Sequence, residues 1–501
     1  MPPEDVDTPA RRRRVLAARG QRREERVAPR VGKPPRTAQL PNGFCVEVDP
    51  RVRWLNAGRV LLGGAPLRLL RLSPTAARLL AGRATLQVCD NTTAALARRL
   101  LDTGVAHPRP SGPPGTADVT VVVPVRDRPG GLDRLLAGVR ETAGRIPVLV
   151  VDDGSRDALA VRRVCGTHGG TVVRHEVARG PAAARNTGLA IATTPIVALL
   201  DSDCVPLPGW LDRLRSHLDD PLVAAAAPRI VAAETGMPGW LASYEEVASS
   251  LDRGPREGPV RPHGGVPFVP SAALLVRRTA LGVGYDETMH VAEDVDLGWR
   301  LVAAGWRVRY EPTALVAHEH RTSVVAWARR RAFYGTGAAK LAARHGSAVA
   351  PVVLSPWSAA AWTALLAGGR GGPVYSAAIL AWATARLANR LTGVGSRWPL
   401  ATRLVALGTA FAGRQLASAV VRHYWPISLM VAAGSQTARR VIATIAVLDG
   451  ILGWWPHRHR VPLPGFVLIR RLDDLCYGAG LWWGVCRSGR LGALQPKFGH
   501  A

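Results

Sequence analysis

Residues 196–203 read Ile-Val-Ala-Leu-Leu-Asp-Ser-Asp, an apolar run that passes directly into two acidic residues. Two other segments contain apolar runs. Five of residues 118–125 are valine and the segment ends in Val-Pro-Val, whereas residues 147–155 read Pro-Val-Leu-Val-Val-Asp-Asp-Gly-Ser and again pass into two acidic residues. Short, wholly apolar strands are typical of a parallel sheet that is covered on both faces. Ligands bind beyond the carboxyl ends of such strands, so we expect one polar site at that edge.

Segments with helical patterning separate these strands. We predict helices over residues 132–142, 158–166 and 182–192, with a further strand at 171–173. Strands that alternate with helices predict an α/β domain with a mostly parallel sheet. A Pro- and Gly-rich linker at 108–117 precedes it, and the domain is expected to extend from 118 to about 345.

Asp201 and Asp203 are the strongest candidates for metal ligands. Residues i and i+2 of an extended segment face the same side, so both carboxylates can bind one Mg²⁺ or Mn²⁺ that also contacts a diphosphate. An acidic surface turn is the alternative, and the apolar strand before it disfavours that interpretation. Asp152 and Asp153 follow their own strand and could accept hydrogen bonds from a base or a ribose, although Asp-Asp-Gly-Ser is also a common turn.

Glu293 and Asp294 begin a predicted helix. Carboxylates in the first turn can simply complement the helix dipole. Alternatively, one of them can act as general base toward an acceptor hydroxyl, with its pKa raised by the adjacent like charge.

Three basic side chains complete the candidate site. His318 follows a strand predicted over 308–316 and could be a further metal ligand. Arg321 could neutralise a leaving diphosphate. Arg185 lies at the start of the helix at 182–192 and could contact a base or a phosphate; the alternative is an ordinary surface arginine.

Two segments precede the α/β domain. Residues 1–40 are rich in proline and arginine and predict a disordered basic tail. Such a tail is either simply solvated or an arm that tethers the chain to a membrane or binds an acidic partner. Residues 41–107 predict a hairpin at 60–70, a helix capped by Ser73 and a helix at 92–101. This pattern resembles the small winged-helix-like peptide-recognition modules of the PqqD-like type; a structural cap on the enzyme domain is the alternative.

The charge of the chain limits the kinds of partner that it can bind. The net charge is +28, and only three of the basic residues are lysines. This arginine-rich composition reflects either a GC-rich genome or attraction to an anionic partner. The charge is dispersed and no nucleic-acid-binding motif is present, so we expect no nucleic acid partner. The six cysteines lack metal-binding spacing, so we expect reduced cytosolic thiols. The N-terminal segment contains no apolar run of signal-peptide length, which argues against secretion.

Residues 346–501 predict a helical, membrane-associated region. No charged residue occurs at 347–369 or at 371–385, so the first of these segments is a candidate span, although prolines and serines dilute it. Arginines interrupt the later helices, which favours amphipathic helices at the interface, anchored by Trp425, Trp454 and Trp455. We therefore expect the protein to associate with the cytoplasmic face of the cell membrane, whose surface is anionic. Whether it crosses the membrane more than once stays open. A soluble helical domain is the alternative.

Taken in order, the motifs of residues 118–345 resemble those of family 2 glycosyltransferases with the GT-A fold. The resemblance rests on Val-Pro at 123–124, Val-Asp-Asp-Gly-Ser at 151–155, Ala-Arg-Asn-Thr-Gly at 184–188, Asp-Ser-Asp at 201–203, Glu-Asp-Val-Asp-Leu at 293–297 and His318. It implies inverting transfer from a nucleotide-sugar, usually a UDP-sugar. It further implies that Asp152, Asp153 and Arg185 hold the uridine; that Asp201, Asp203 and His318 hold a divalent metal and the diphosphate; and that Asp294 is the catalytic base beside Glu293.

The segment after Arg321 departs from one branch of this family. Residues 327–335 read Trp-Ala-Arg-Arg-Arg-Ala-Phe-Tyr-Gly, not the Gln-x-x-Arg-Trp of cellulose- and hyaluronan-type synthases, which argues against long-chain polymerisation.

The arrangement of the whole chain is similar to that of the glycosyltransferases of actinobacterial mycofactocin systems. This resemblance implies a hexosyltransferase that adds short β-1,4-linked glucose chains to a peptide-derived cofactor precursor, with a pathway peptide or carrier protein as a possible partner of the N-terminal module. Transfer to a lipid-linked or cell-wall glycan is the alternative.

Overall fold

The structure is a computed structural model that describes residues 29–36, 38–109, 115–233, 239–320 and 323–499 of the chain. The N-terminal module is α+β. Its elements, in chain order, are β1 (Cys45–Val48), β2 (Arg53–Leu55), β3 (Val60–Gly63), β4 (Arg68–Arg71), α1 (Pro74–Leu80), β5 (Thr85–Gln87), α2 (Asn91–Thr103) and β6 (Ala106–Arg109). Strands β2, β3 and β4 form one antiparallel sheet, and β5, β1 and β6 form another. The predicted hairpin is β3–β4, and the Ser73 side chain caps α1 by accepting a bond from Ala76 N at 3.2 Å.

The α/β domain follows the module. Its elements are β7 (Val119–Val125), α3 (Pro129–Ala143), β8 (Val148–Asp153), α4 (Ala158–Thr167), β9 (Thr171–His175), α5 (Pro181–Ile191), β10 (Ile196–Leu200), β11 (Cys204–Pro206), α6 (Trp210–Arg215), β12 (Val223–Ala232), α7 (Trp240–Ala248), β13 (Gly258–Pro259), β14 (Ala273–Arg277), α8 (Arg278–Leu281), α9 (Glu293–Ala303), β15 (Arg307–His318) and α10 (Val324–His345). The strands predicted from apolar runs are confirmed, and β10 has the predicted bounds.

One mixed sheet forms the centre of this domain, with the strand order β11-β15-β12-β14-β10-β7-β8-β9. Strands β10, β7, β8 and β9 are mutually parallel, and every residue of β7, β8 and β10 is buried, as their apolar sequences predict. The chain order reverses between β7 and β10, which opens a crevice beyond their carboxyl ends. A β-carbon at Gly131 in α3 would lie 2.5 Å from the carbonyl oxygen of Ser202, so glycine lets the helix approach the Asp-Ser-Asp turn.

The C-terminal region is helical, as predicted. It contains β16 (Val353–Leu354), α11 (Pro356–Ala367), α12 (Gly372–Arg390), α13 (Arg397–Arg422), α14 (Trp425–Gly434), α15 (Gln436–Trp454), α16 (Leu463–Ser488) and β17 (Lys497–Phe498). Helix α16 packs closely against α10, since a β-carbon at Gly480 would lie 1.7 Å from the carbonyl oxygen of Ala332. This contact joins the helical region to the α/β domain.

The predicted span at 347–369 is wrong. The only α-helix in that segment is α11, which has 12 residues, too few for the ~20 that a span needs. It begins after Ser355 caps it and ends at Gly368. Within the described residues, only the 26-residue α13 is long and apolar enough to cross a membrane by length and composition, with 22% of its apolar window buried.

The predicted C-terminal boundary of the disordered tail, residue 40, is wrong. Residues 1–28 lie outside the described residues, but residues near Gly32 run along the α/β domain. The amide of Gly32 donates to Ala280 O at 2.9 Å, and its carbonyl accepts from Trp306 Nε1 at 2.7 Å. Leu40 is buried in the core of the N-terminal module. The predicted linker also begins too early, because β6 continues to Arg109.

Ion pairs fix the module to the α/β domain. Arg98 in α2 makes two bonds to the Asp220 carboxylate at 2.5 and 2.7 Å, and Arg307 makes two bonds to Asp102 at 2.6 and 2.7 Å. Paired bidentate contacts of this kind set orientation as well as distance. The module therefore has a defined position on the α/β domain, on the side of the sheet that carries β12 and β15.

Candidate active site

The Asp-Ser-Asp turn and His318 meet at the carboxyl end of β10. Antiparallel pairing of β11 with β15 places Cys204 opposite His318, and Nε2 of His318 lies 3.5 Å from Oδ1 of Asp203. The turn is anchored, because Asp201 N donates to Ala272 O at 2.8 Å and Glu319 N donates to Asp203 O at 3.0 Å. The structure thus brings His318 to Asp201 and Asp203, from which it is separated by more than 110 residues in sequence.

The donor set of this cluster fits a divalent cation. Two carboxylates and an imidazole are ligands that Mg²⁺ and Mn²⁺ accept. Nδ1 of His318 is buried and has no hydrogen-bond partner, so this nitrogen is not committed to the surrounding protein. Burial and the charge of Asp203 raise the pKa of Asp201, against the lowering effect of Arg185. A cation between the carboxylates would offset their repulsion.

Arg185 is a buried connector rather than a surface arginine. It is 4% exposed, and its guanidinium donates to Asp201 Oδ1 at 2.6 Å and to Glu293 Oε1 at 3.1 Å. The guanidinium also lies 5.4 Å from the ring centroid of Tyr285. Arg185 therefore joins the proposed metal cluster to the Glu293–Asp294 pair across a single side chain.

Asp294 has the environment of a general base. Its carboxylate accepts bonds from Val295 N at 2.7 Å and from Ser271 N at 3.4 Å. Burial, followed by the charge of Glu293, raises the pKa of Asp294 to about 7, although Arg185 and the two backbone bonds act in the opposite direction. A carboxylate with a pKa near neutrality accepts a proton from a hydroxyl far more readily than an ordinary one. Glu293 itself is held by Arg185.

Asp152 and Asp153 are buried at the carboxyl end of β8. Asp152 is fully buried, accepts a bond from Ser155 N at 2.9 Å and pairs with Arg174. Asp153 is 5% exposed and accepts bonds from His175 Nδ1 at 2.8 Å and from the amides of Arg179 and Gly180, each at 2.8 Å. Both carboxylates thus accept hydrogen bonds from the loops at the edge of the sheet. Their contact with the uridine, which the family resemblance implies, stays a prediction.

Arg321 lies outside the described residues, so the structure does not place it. Two other arginines that the sequence analysis missed do lie at the site. Arg128 donates to Asp203 Oδ2 at 3.1 Å and to Glu319 Oε2 at 2.9 Å. Arg330 lies in the field of Glu293 and Asp201, which with Tyr334 raise its pKa against the opposing effect of burial. Arg128 follows β7 at the same sheet edge as the predicted residues, and that position is the signal that could have identified it.

A small cavity adjoins the imidazole side of the site. Its lining includes His318, His320 and Glu245, together with Trp327, Arg330 and Tyr334 of α10. Burial, His318 and Arg331 lower the pKa of His320 to about 4, so this imidazole is neutral at physiological pH. The lining therefore combines aromatic rings with polar and charged side chains beside His318.

Comparisons with known proteins identify the family of the chain. The sequence profile of glycosyl transferase family 2 matches residues 120–283. The pre-mycofactocin glycosyltransferase of Mycobacterium tuberculosis is 47% identical over 472 residues, which is 92% of this chain and 99% of the relative. Succinoglycan biosynthesis protein ExoU of Rhizobium meliloti is 32% identical over 38% of this chain and 59% of its own length.

Among solved structures, a mannosyltransferase from Pyrobaculum calidifontis in complex with GDP-Man and Mn²⁺ covers 75% of this chain and 89% of its own, with 22% identity and a TM-score of 0.41. That similarity is low, whereas the match to the mycobacterial enzyme at 47% identity extends over nearly the whole chain and shows the family. The chain therefore belongs to the family 2 glycosyltransferases of the GT-A fold, and along nearly its whole length it resembles the pre-mycofactocin glycosyltransferase of the mycofactocin system.

Proposed function

We propose that this enzyme transfers glucose from UDP-glucose to pre-mycofactocin, a peptide-derived acceptor, with inversion at the anomeric carbon. It then extends the product into a short β-1,4-linked chain. The observation that carries the proposal is the 47% identity to a pre-mycofactocin glycosyltransferase over 99% of that protein's length. An alignment of that extent includes the N-terminal module and the helical region as well as the α/β domain.

In the proposed reaction Asp294 removes the proton of the acceptor hydroxyl. The acceptor oxygen forms its bond to the anomeric carbon while the bond from that carbon to the diphosphate oxygen breaks, and the diphosphate leaves with the electron pair. Direct attack of the acceptor oxygen on the anomeric carbon is a single displacement, which inverts the anomeric centre. The pKa of about 7 for Asp294 supports the assignment, because the group can accept a proton at neutral pH.

Asp201, Asp203 and His318 would hold a divalent metal, and a bound metal would stabilise the negative charge that develops on the diphosphate. Arg185 keeps Asp201 and Glu293 at fixed positions, 2.6 and 3.1 Å from its nitrogens. The charges of Glu293 and Asp201 reach Arg330, and we assign to this arginine a role in neutralising the leaving phosphate. The uridine would then lie over the Asp153 loop, and the acceptor beside Asp294.

We also propose that the enzyme works at the cytoplasmic face of the cell membrane. Support comes from the C-terminal helices, which expose large apolar side chains such as Leu366, Met430 and Trp483 at 72%, 68% and 66%. The same surface favours a second candidate, transfer to a lipid-linked or cell-wall glycan. The N-terminal module would contact a pathway peptide or carrier protein.

Mass spectrometry tests the proposal. The purified full-length chain is incubated with pre-mycofactocin, Mn²⁺ and, separately, UDP-glucose, UDP-galactose or GDP-mannose. We expect successive additions of one hexose mass from UDP-glucose alone and none with the Asp294→Asn variant. An unmodified precursor with every donor, combined with transfer to a polyprenyl-linked acceptor, would instead support the second candidate.

A further inference from the structure

The C-terminal region has an unusual distribution of charge. Residues 346–501 contain only three acidic side chains, Asp449, Asp473 and Asp474, and none occurs between Glu319 and Asp449. All three are buried, at 3%, 7% and 4% exposure, and pair with arginines inside the helical region. Over residues 346–499 the described surface therefore has no exposed acidic side chain, and its charged side chains are basic.

A groove between α11 and α12 combines this charge with apolar lining. It encloses about 850 Å³ and is lined by Trp357, Ala360, Ile379, Trp382, Arg386 and Arg390, with Pro356 and Ala378 completing its wall. Arg386 and Arg390 are one helical turn apart, so they lie on the same face of α12. The volume, the mainly apolar wall and the few polar groups at one end are typical of a ligand site.

The two tryptophans give the groove its amphipathic character. Trp382 is 54% exposed, and the Arg386 guanidinium lies 5.3 Å from its ring centroid. Indole rings with an apolar body and a polar edge are enriched where protein meets the boundary between lipid headgroups and acyl chains. Leu366 and Val374, 72% and 69% exposed, extend the apolar surface on the same pair of helices.

We propose that this groove binds an anionic phospholipid of the bilayer. The phosphate is held by Arg386 and Arg390, and an acyl chain lies along Trp357, Ile379 and Trp382. A second copy of the chain is a poorer occupant, because its own helical region has no exposed acidic side chain to pair with the arginines. The inference rests on the proposed membrane location and does not depend on which acceptor receives the sugar.

Vesicle sedimentation of the full-length protein tests the inference. Phosphatidylcholine vesicles, with and without phosphatidylglycerol, are compared for the wild type, for Arg386→Gln/Arg390→Gln and for the matched control Arg439→Gln/Arg440→Gln. The control removes the same charge from exposed arginines of α15. Each arginine near an anionic surface contributes about 1 kcal/mol, or about fivefold in affinity. We expect the groove variant to lose about 25-fold in affinity for phosphatidylglycerol vesicles, and the control less than about threefold.

Two further readouts separate the possible failures. Native mass spectrometry with added phosphatidylglycerol is expected to show one retained lipid in the wild type and none in the groove variant. Equal losses in the two variants, or an unchanged lipid adduct, would overturn the groove assignment and leave only a diffuse basic surface. No binding of wild type to any vesicle would overturn both the groove and the membrane location. Unchanged hexose transfer to soluble pre-mycofactocin by the groove variant would leave the proposed reaction intact.

Discussion

The assignment of Asp294 as general base makes a quantitative prediction. Burial and the charge of Glu293 raise its pKa to about 7. Catalysis needs the deprotonated form, so kcat/KM, which reports the groups of the free enzyme, should rise with pH through about 7 and then level off. For one titrating base with this pKa, the increase between pH 6 and pH 8 is about tenfold.

Replacing the base removes this dependence. The Asp294→Asn variant should lose about 10²- to 10⁴-fold in kcat and show a flat profile, because asparagine cannot take the proton. UDP binding should change little, since Asp201 and Asp203 are untouched. The assay is the initial rate of UDP release between pH 5.5 and 9, with donor and acceptor concentrations varied to give both kcat and kcat/KM. A variant that keeps more than a tenth of wild-type kcat, or a flat wild-type profile, would refute the assignment.

Glu293 provides a control with a defined sign. Its charge is the second cause of the raised pKa of Asp294, after burial. The Glu293→Gln variant should therefore lower the midpoint of the pH profile while activity above pH 8 is retained better than in Asp294→Asn. An upward shift would contradict the electrostatic explanation.

Three further predictions concern the metal site, the connector and the packing of the helices. The Asp203→Asn variant should need at least about tenfold more Mn²⁺ for half-maximal activity, with its pH midpoint unchanged. The Arg185→Met variant should raise the pH midpoint, because the Arg185 charge lowers the pKa of Asp294. Its unfolding temperature should also fall, because breaking a buried ion pair destabilises the folded state by about 3–5 kcal/mol. The Gly480→Ala variant should lower the free energy of unfolding by about 1–3 kcal/mol, since its methyl group would lie 1.7 Å from a carbonyl oxygen. The control is Gly408→Ala, whose methyl group meets nothing within 4 Å. In the same denaturation assay it should be neutral or slightly stabilising.

The central sheet was predictable because buried parallel strands leave continuous apolar runs in the sequence. Strand β10 was predicted with its correct bounds, and the acidic residues after it lie at the sheet edge where parallel topology places them. His318 was predicted as a further metal ligand because it follows a strand, and the family resemblance gave it the same role. In the structure its position beside Asp203 depends on antiparallel pairing of β11 with β15, a contact between segments more than 100 residues apart.

Burial and pairing at the site could not be predicted from local sequence. Asp152 is neutralised by Arg174, its register partner on the neighbouring strand, and nothing in Asp-Asp-Gly-Ser indicates this. Arg185 resembles a surface arginine in sequence because both of its carboxylate partners come from distant segments. The wrong span at 347–369 has a different cause: apolar composition was counted without the glycines at 368 and 369, where α11 ends.

The configuration of the first product tests the account most directly. Proton NMR of the monoglucosylated acceptor formed from UDP-α-glucose reports the anomeric configuration through the coupling between H1 and H2. A single displacement assisted by Asp294 predicts the large diaxial coupling of a β-glucoside, and no such product with Asp294→Asn. An α-glucoside would mean retention, which a single displacement cannot give, and would contradict the role assigned to Asp294.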